Sequence, residues 1–153
     1  MTILVFDLDD TLLMSNSYNK YDDIREHTNL NEQLNNYDCK KFIYTNGTYG
    51  HAISSLKNMN SLENFSDIFA RDTLQHYKPN PKSFNEVCNI LYHSHNLNDN
   101  IIFFDDLPSN LQAANYFNWT TVWIHPSSKN YNIPNYIDYS FPDIITALKS
   151  LKN

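Results

Sequence analysis

The chain reads as an α/β protein built on a five-stranded, mainly parallel sheet, and three observations predict it. Five short apolar runs rich in Ile, Val and Phe recur along the sequence: Thr2–Phe6, Lys41–Thr45, Asp67–Ala70, Ile101–Phe104 and Thr121–Ile124. Most lack strict polar alternation, the pattern of strands buried on both faces. Between the runs lie stretches with apolar residues at helical spacing, and strands alternating with helices imply parallel pairing through right-handed crossovers.

The elements follow in order. Leu30 and Leu34 mark a helix leading into the second strand. Ala52, Ile53, Leu56 and Met59 place a helix after it. Pro79 and Pro81 open a third helix, with Phe84, Val87, Cys88 and Leu91 as its apolar stripe. Leu111, Ala114 and Phe117 follow the fourth strand, and Ile144, Ile145, Leu148 and Leu151 follow Pro142 as a terminal helix. No linker or repeat divides the chain, so residues 1–153 are expected to form one domain.

Composition narrows the function. A hydrophobic content of 41% with 14% aromatic residues supports a packed core and argues against disorder. A net charge of -6 disfavours a surface that coats nucleic acid. The absence of an apolar run near membrane-spanning length, or of a signal peptide, predicts a soluble cytoplasmic protein with no membrane partner. Cys39 and Cys88 show no paired spacing and are expected to be free thiols. Asparagine is abundant and scattered, which reads as coding bias. Glycine occurs only at positions 47 and 50, too sparse for a Walker phosphate loop or a dinucleotide-binding fingerprint.

Chemistry-bearing residues gather where the strands are expected to end. Asp7 and Asp9 follow the first strand two residues apart and so project to one side. Two like charges that close call for a cation or a proton between them. The second strand ends in Thr45-Asn46-Gly47, the fourth in Asp105-Asp106, and Lys78 precedes the third helix. In parallel sheets active groups collect at the carboxyl ends of strands. Each residue alone has a plain structural reading: Thr45 a helix cap, Asp105-Asp106 a turn, Lys78 a solvated lysine. Their order and shared placement on one rim argue for a site. Gly47 is expected to allow close approach or a positive φ beside a bound phosphate.

On these residues the chain resembles the haloacid dehalogenase superfamily of phosphohydrolases. The resemblance rests on Asp7-Leu8-Asp9-Asp10-Thr11, Thr45, Lys78-Pro79 and Phe103-Phe104-Asp105-Asp106. It covers essentially the whole chain. Tyr44-Thr45-Asn46-Gly47 with His51-Ala52, and Asp105-Asp106 with Asn110, look most like the pyrimidine 5′-nucleotidase branch. The small size looks more like the small magnesium-dependent phosphatases. The resemblance implies a Rossmann-like three-layer αβα sandwich without a cap domain. It implies Mg²⁺ as cofactor and an aspartyl-phosphate intermediate. Asp7 would be the nucleophile and Asp9 the acid and base, a double duty that needs a raised pKa. Mg²⁺ would be held by Asp7, the carbonyl of Asp9 and Asp106, with Asp105 either a further ligand or an acceptor behind the ligands. Thr45, Asn46, Gly47 and Lys78 would bind the phosphate. Dehalogenases lack the second acid of the first motif, so the presence of Asp9 favours phosphate-ester hydrolysis.

Only Met14 to Cys39 separates the first motif from the second strand, which leaves a short flap at about 14–28 and no cap. The nucleotidase branch carries a helical cap there, so this chain departs from it. A phosphorylated small molecule is the favoured partner, with a second subunit as one way to close the uncapped site. Tyr18, Tyr21, Tyr49 and His51 are candidates for lining its rim, where an aromatic ring stacks on a base. An open site also suits a macromolecule, such as a phosphoprotein or a nucleic-acid end. A non-catalytic phosphate-binding relative is the remaining reading.

Overall fold

The computed structural model describes residues 1–14 and 24–152. Six strands form one parallel sheet: β1 (Thr2–Phe6), β2 (Lys41–Tyr44), β3 (Asp67–Phe69), β4 (Asn100–Asp105), β5 (Thr120–Ile124) and β6 (Tyr139–Phe141), in the order β3-β2-β1-β4-β5-β6. The sixth strand exceeds the five expected. It has three residues at an edge of the sheet and is specified by its pairing with β5, not by a local apolar run. The rest of the expected α/β architecture is present.

Helices α1 (Ile24–Asn35), α2 (Tyr49–Asn58), α3 (Pro81–Ser94), α4 (Pro108–Tyr116) and α5 (Ile144–Leu151) cover both faces. Period-two alternation in each strand divides the core. Leu4, Phe6, Ile43 and Phe104 face a cluster with Leu34 of α1, Leu56 of α2 and Leu148 of α5. Ile3, Val5, Tyr44 and Phe103 face the other cluster, with Phe84 of α3 and Leu111 of α4. The result is the three-layer αβα sandwich, whose central strands are buried on both sides.

The strand order reverses at β1. The chain moves outward to β2 and β3, then crosses back to β4 on the other side of β1. That topological switch opens a crevice beyond the carboxyl ends of β1 and β4. Among the described residues no cap domain interrupts the fold. Of the expected flap at 14–28, positions 15–23 lie outside the described residues, Tyr18 and Tyr21 included. No helix among the described residues is long and apolar enough to cross a membrane. Cys39 and Cys88 are free.

Asparagine has a structural use that composition does not show. Positive φ occurs at Asn60, Asn96 and Asn118, which follow α2, α3 and α4, and at Asp10 in the turn after β1. At the end of α4 the Asn118 N–H donates to the Asn115 carbonyl and the Trp119 N–H to the Ala114 carbonyl. This is the Schellman pattern, in which glycine is the usual residue and asparagine the next most tolerant. In a chain with two glycines, asparagine ends the helices.

Candidate active site

The site is built on the carboxyl ends of β1, β2 and β4. Asp7 continues β1, and its N–H donates to the Phe104 carbonyl at 2.9 Å, which locks it beside β4. Its side chain is nearly buried and accepts from Thr11 Oγ1 at 3.2 Å. Asp105 ends β4 with no exposed surface. Its Oδ1 accepts from the Leu107 N–H, and its Oδ2 from Asn110 Nδ2 and Lys78 Nζ.

Lys78 is the centre of the arrangement. Its Nζ donates to Asp7 Oδ1 at 3.1 Å, Asp105 Oδ2 at 2.9 Å and the Tyr44 carbonyl at 2.7 Å. The rings of Tyr44 and Phe103 lie 5.0 and 5.5 Å from the same ammonium. Burial opposes its charge, but Asp105 and Asp7 outweigh burial and hold its pKa above the usual lysine value. Its stem reaches the site because Asn46 grips its main chain. Lys78 N–H donates to Asn46 Oδ1 at 3.0 Å, and Asn46 Nδ2 donates to the Lys78 carbonyl at 2.9 Å. Asn46 is thus engaged with Lys78 through its side chain.

Thr45 is buried, and its Oγ1 accepts the Gly47 N–H at 3.0 Å. With that lone pair used, its hydroxyl hydrogen remains to be donated. The helix cap is not Thr45 but Thr48, which accepts from the His51 N–H at the start of α2. Gly47 has no positive φ, contrary to one of the two uses expected. The space beside it is filled by side chains: a Cβ there would lie 3.3 Å from Thr45 Oγ1 and from a ring carbon of His51.

Asp9 stands apart from the other acids. Its carboxylate, partly exposed, meets His51 Nε2 at 3.0 Å. Its hydrogen-bonding partner is a histidine 42 positions away. Sequence reasoning placed His51 on the rim but missed this pairing. The available signal was its place in the first turn of the helix that leaves the same rim. Thr11, bonded to Asp7, was also missed as a site residue.

Asp7, Asp105 and Asp106 each offer a ligand oxygen, and these lie within 4.8 Å of one another. The trio fits a divalent cation for a reason internal to the structure. Burial, a hydrogen bond with Asp7 and the charges of Asp105 and Asp7 push Asp106 up to about 8. Burial likewise raises Asp105, to about 6, against the pull of Lys78. Three carboxyls with one ammonium leave surplus negative charge, so one must hold a proton unless a cation enters. Oxygen-only donors of this kind suit Mg²⁺. Asp9 contributes no side-chain oxygen to the trio.

This fold and acidic rim define a hydrolase of the haloacid dehalogenase-like class. A profile for the family described as "Haloacid dehalogenase-like hydrolase" matches residues 14–124, and the chain belongs to that family. The matched stretch contains Thr45, Lys78, Asp105 and Asp106 but not Asp7 or Asp9. No curated protein matches significantly. Among solved structures, the chain is similar to a protein provisionally described as a beta-phosphoglucomutase from Thermotoga maritima, at 14% identity and a TM-score of 0.72, covering 99% of this chain and 100% of that one. It is similar to the provisionally described HAD-hydrolase YfnB from Bacillus subtilis bound to magnesium, at 15% identity and 0.72, covering 99% of each chain. L-2-haloacid dehalogenase from Xanthobacter autotrophicus is 14% identical with a TM-score of 0.65, over 79% of this chain and 58% of that one. The chain spans 57% and 56% of the first two dehalogenase structures it matches. At these identities the likeness is one of fold.

Proposed function

We propose that the protein is a Mg²⁺-dependent phosphomonoester hydrolase acting through an aspartyl-phosphate on Asp7. The observation that carries this reading is the bridge from Lys78 Nζ to both Asp7 and Asp105, with Asp106 completing a trio of carboxyls. The Lys78 ammonium, 3.1 Å from Asp7 Oδ1, holds that carboxylate in a fixed orientation, which a nucleophile needs.

A carboxylate oxygen of Asp7 attacks phosphorus as the bond to the leaving oxygen breaks. Asp9 gives that oxygen a proton, then takes one from the water that attacks the same phosphorus and releases Asp7. His51 positions the Asp9 carboxyl through their 3.0 Å contact. Thr45 donates its hydroxyl to a phosphate oxygen, and Lys78 supplies positive charge to the transferring group. Asn46 acts through Lys78, whose main chain it holds. Asp106 with Asp7 would hold the metal, and Asp105, already bonded to Lys78, Asn110 and the Leu107 N–H, would orient Lys78 behind them. When bound, Mg²⁺ would neutralise the acids and the phosphate oxygens.

Small phosphomonoesters are the substrate class we favour, with nucleoside monophosphates first to test, in one domain that a second subunit could close. The reading is tested by assaying a panel of nucleotides, sugar phosphates and phosphopeptides with and without Mg²⁺, alongside Asp7→Asn. Release of phosphate that requires Mg²⁺ and is lost in Asp7→Asn is expected. Hydrolysis by Asp7→Asn at the wild-type rate would sink the reading. Turnover restricted to phosphopeptides would replace the small-molecule assignment.

A further inference from the structure

A second concavity lies on the same rim, outside the acidic trio. It encloses about 450 Å³ and is formed by Asp106 and Leu107 after β4, Trp123 in β5 and His125 just after it, and Tyr131 and Tyr136 from the connection to β6. That volume lies within the roughly 300–1,000 Å³ typical of small-molecule sites. The cavity touches the trio directly, because Asp106 belongs to both.

We propose that this cavity is the leaving-group pocket of the site and takes a planar aromatic ring carried by the phosphomonoester. The proposal rests on the phosphatase reading above. Its chemistry follows from the walls. Trp123 and His125 are stacked, with centroids 5.4 Å apart and planes 24° apart. Tyr131 stands against both, at 5.9 Å from Trp123 and 6.4 Å from His125. Three rings line one cavity, and stacking of aromatic side chains on a flat guest tolerates any aromatic ring. Tyr131 and Leu107 are 58% and 50% exposed, so large apolar surface is left in water beside the site. Apart from Asp106 the lining holds no Asp, Glu, Lys or Arg, so it suits a neutral ring better than an anionic group.

The walls are pre-set. Trp123 Nε1 donates to the Asp106 carbonyl at 2.9 Å, tying the pocket's floor to the end of β4. The loop carrying Tyr131 and Tyr136 is pinned at its far end. Thr121 Oγ1 donates to the Tyr136 carbonyl at 2.6 Å, the Thr121 N–H donates to Asp138 Oδ2 at 2.9 Å, and the Asp138 N–H donates to Thr121 Oγ1 at 3.0 Å. Ser127 N–H donates to His125 Nδ1 at 3.1 Å, which puts the ring proton of that pairing on Nε2. A rigid pocket binds with less ordering cost than a loop that must fold over its guest.

The test compares kcat/KM for uridine 5′-monophosphate, phenyl phosphate and glycerol 3-phosphate in the wild type, Tyr131→Ala and Tyr131→Phe. Tyr131→Ala should lose about ten-fold on the aromatic esters and less than about two-fold on glycerol 3-phosphate, with Tyr131→Phe close to wild type. Losses equal across all three, or absent from all three, overturn the proposal. A larger loss on uridine 5′-monophosphate than on phenyl phosphate identifies a nucleobase as the guest, and the reverse a simple aryl group. The chain has two tryptophans, both buried, and of the two Trp123 lines this cavity. Uridine 5′-monophosphate should therefore quench tryptophan emission of Asp7→Asn saturably, and Tyr131→Ala should abolish that quenching. If no ester is hydrolysed but the quenching behaves so, the pocket stands and the phosphatase reading falls. No quenching at about millimolar ligand, with a dimer in solution that Tyr131→Ala dissociates, makes the face a contact between copies and overturns the proposal.

Discussion

The Lys78 ammonium lies 3.1 Å from Asp7 Oδ1, with almost no solvent access to either partner. Such a pair tolerates loss of one member poorly, because the other is left buried and charged beside Asp105. Lys78→Met should lower kcat by about a hundred-fold or more. In the presence of a chelator it should also cost about 3–5 kcal/mol in urea unfolding. A variant of wild-type stability would show that the ammonium contributes nothing net to the fold.

Divalent cation should stabilise the protein as well as activate it. The trio of Asp7, Asp105 and Asp106 carries more negative charge than Lys78 offsets. Mg²⁺ at about a hundred times its Kd should add about 2.7 kcal/mol. Asp106→Asn should lose most of this response. A melting temperature of the wild type indifferent to Mg²⁺ and to EDTA would count against the trio as a metal site.

Gly47→Ala separates activity from stability. The added Cβ meets Thr45 Oγ1 and the His51 ring at 3.3 Å. His51 is exposed and can yield, whereas Thr45 is buried and cannot without moving its hydroxyl. We expect kcat/KM to fall about ten-fold, as misplacement of a phosphate donor does, with a change in unfolding free energy under about 1 kcal/mol.

Glu86 carries a pH signature away from the site. Burial pushes its carboxyl up, but hydrogen bonds from the Gln75 N–H, the His76 side chain and the His76 N–H outweigh burial and hold its pKa below the usual glutamate value. A depressed folded value means that the stabilisation is complete above the unfolded pKa and is lost as pH falls through the folded one. Glu86→Gln should therefore cost about 1–3 kcal/mol at neutral pH. The gap to wild type should close as acid titrates the carboxyl. A gap unchanged down to strongly acidic pH would refute hydrogen bonding to the ionised carboxylate as its cause.

Asn118 tests the helix ends. Its φ of 62° is strained for any residue with a Cβ except asparagine and aspartate, which tolerate it best. Asn118→Gly should be neutral or stabilising by a few tenths of a kcal/mol, and Asn118→Ala should cost about 1 kcal/mol. Equal stabilities in thermal unfolding would remove the conformational argument.

The sequence by itself determined the α/β class, the alternation of strands and helices, and the rim on which Asp7, Thr45, Lys78 and Asp105 meet. These follow from local periodicity and from the rule that parallel strands deliver their carboxyl ends to one edge. Only the tertiary structure decided what depends on partners distant in the chain. The third to sixth positions of β4 are apolar or acidic and readable alone, but β6 is three residues that become a strand only beside β5. Nothing local to Asn46 shows that its side chain holds the main chain of Lys78, 32 positions on. Asp9 reads as the second acid of a pair with Asp7 until α2 brings His51 to it. The pocket beside Asp106 exists because Thr121 and Asp138 fold a loop back over Trp123. Periodicity records which way a side chain faces; which side chain it then meets depends on loop paths and pairings that no local pattern encodes.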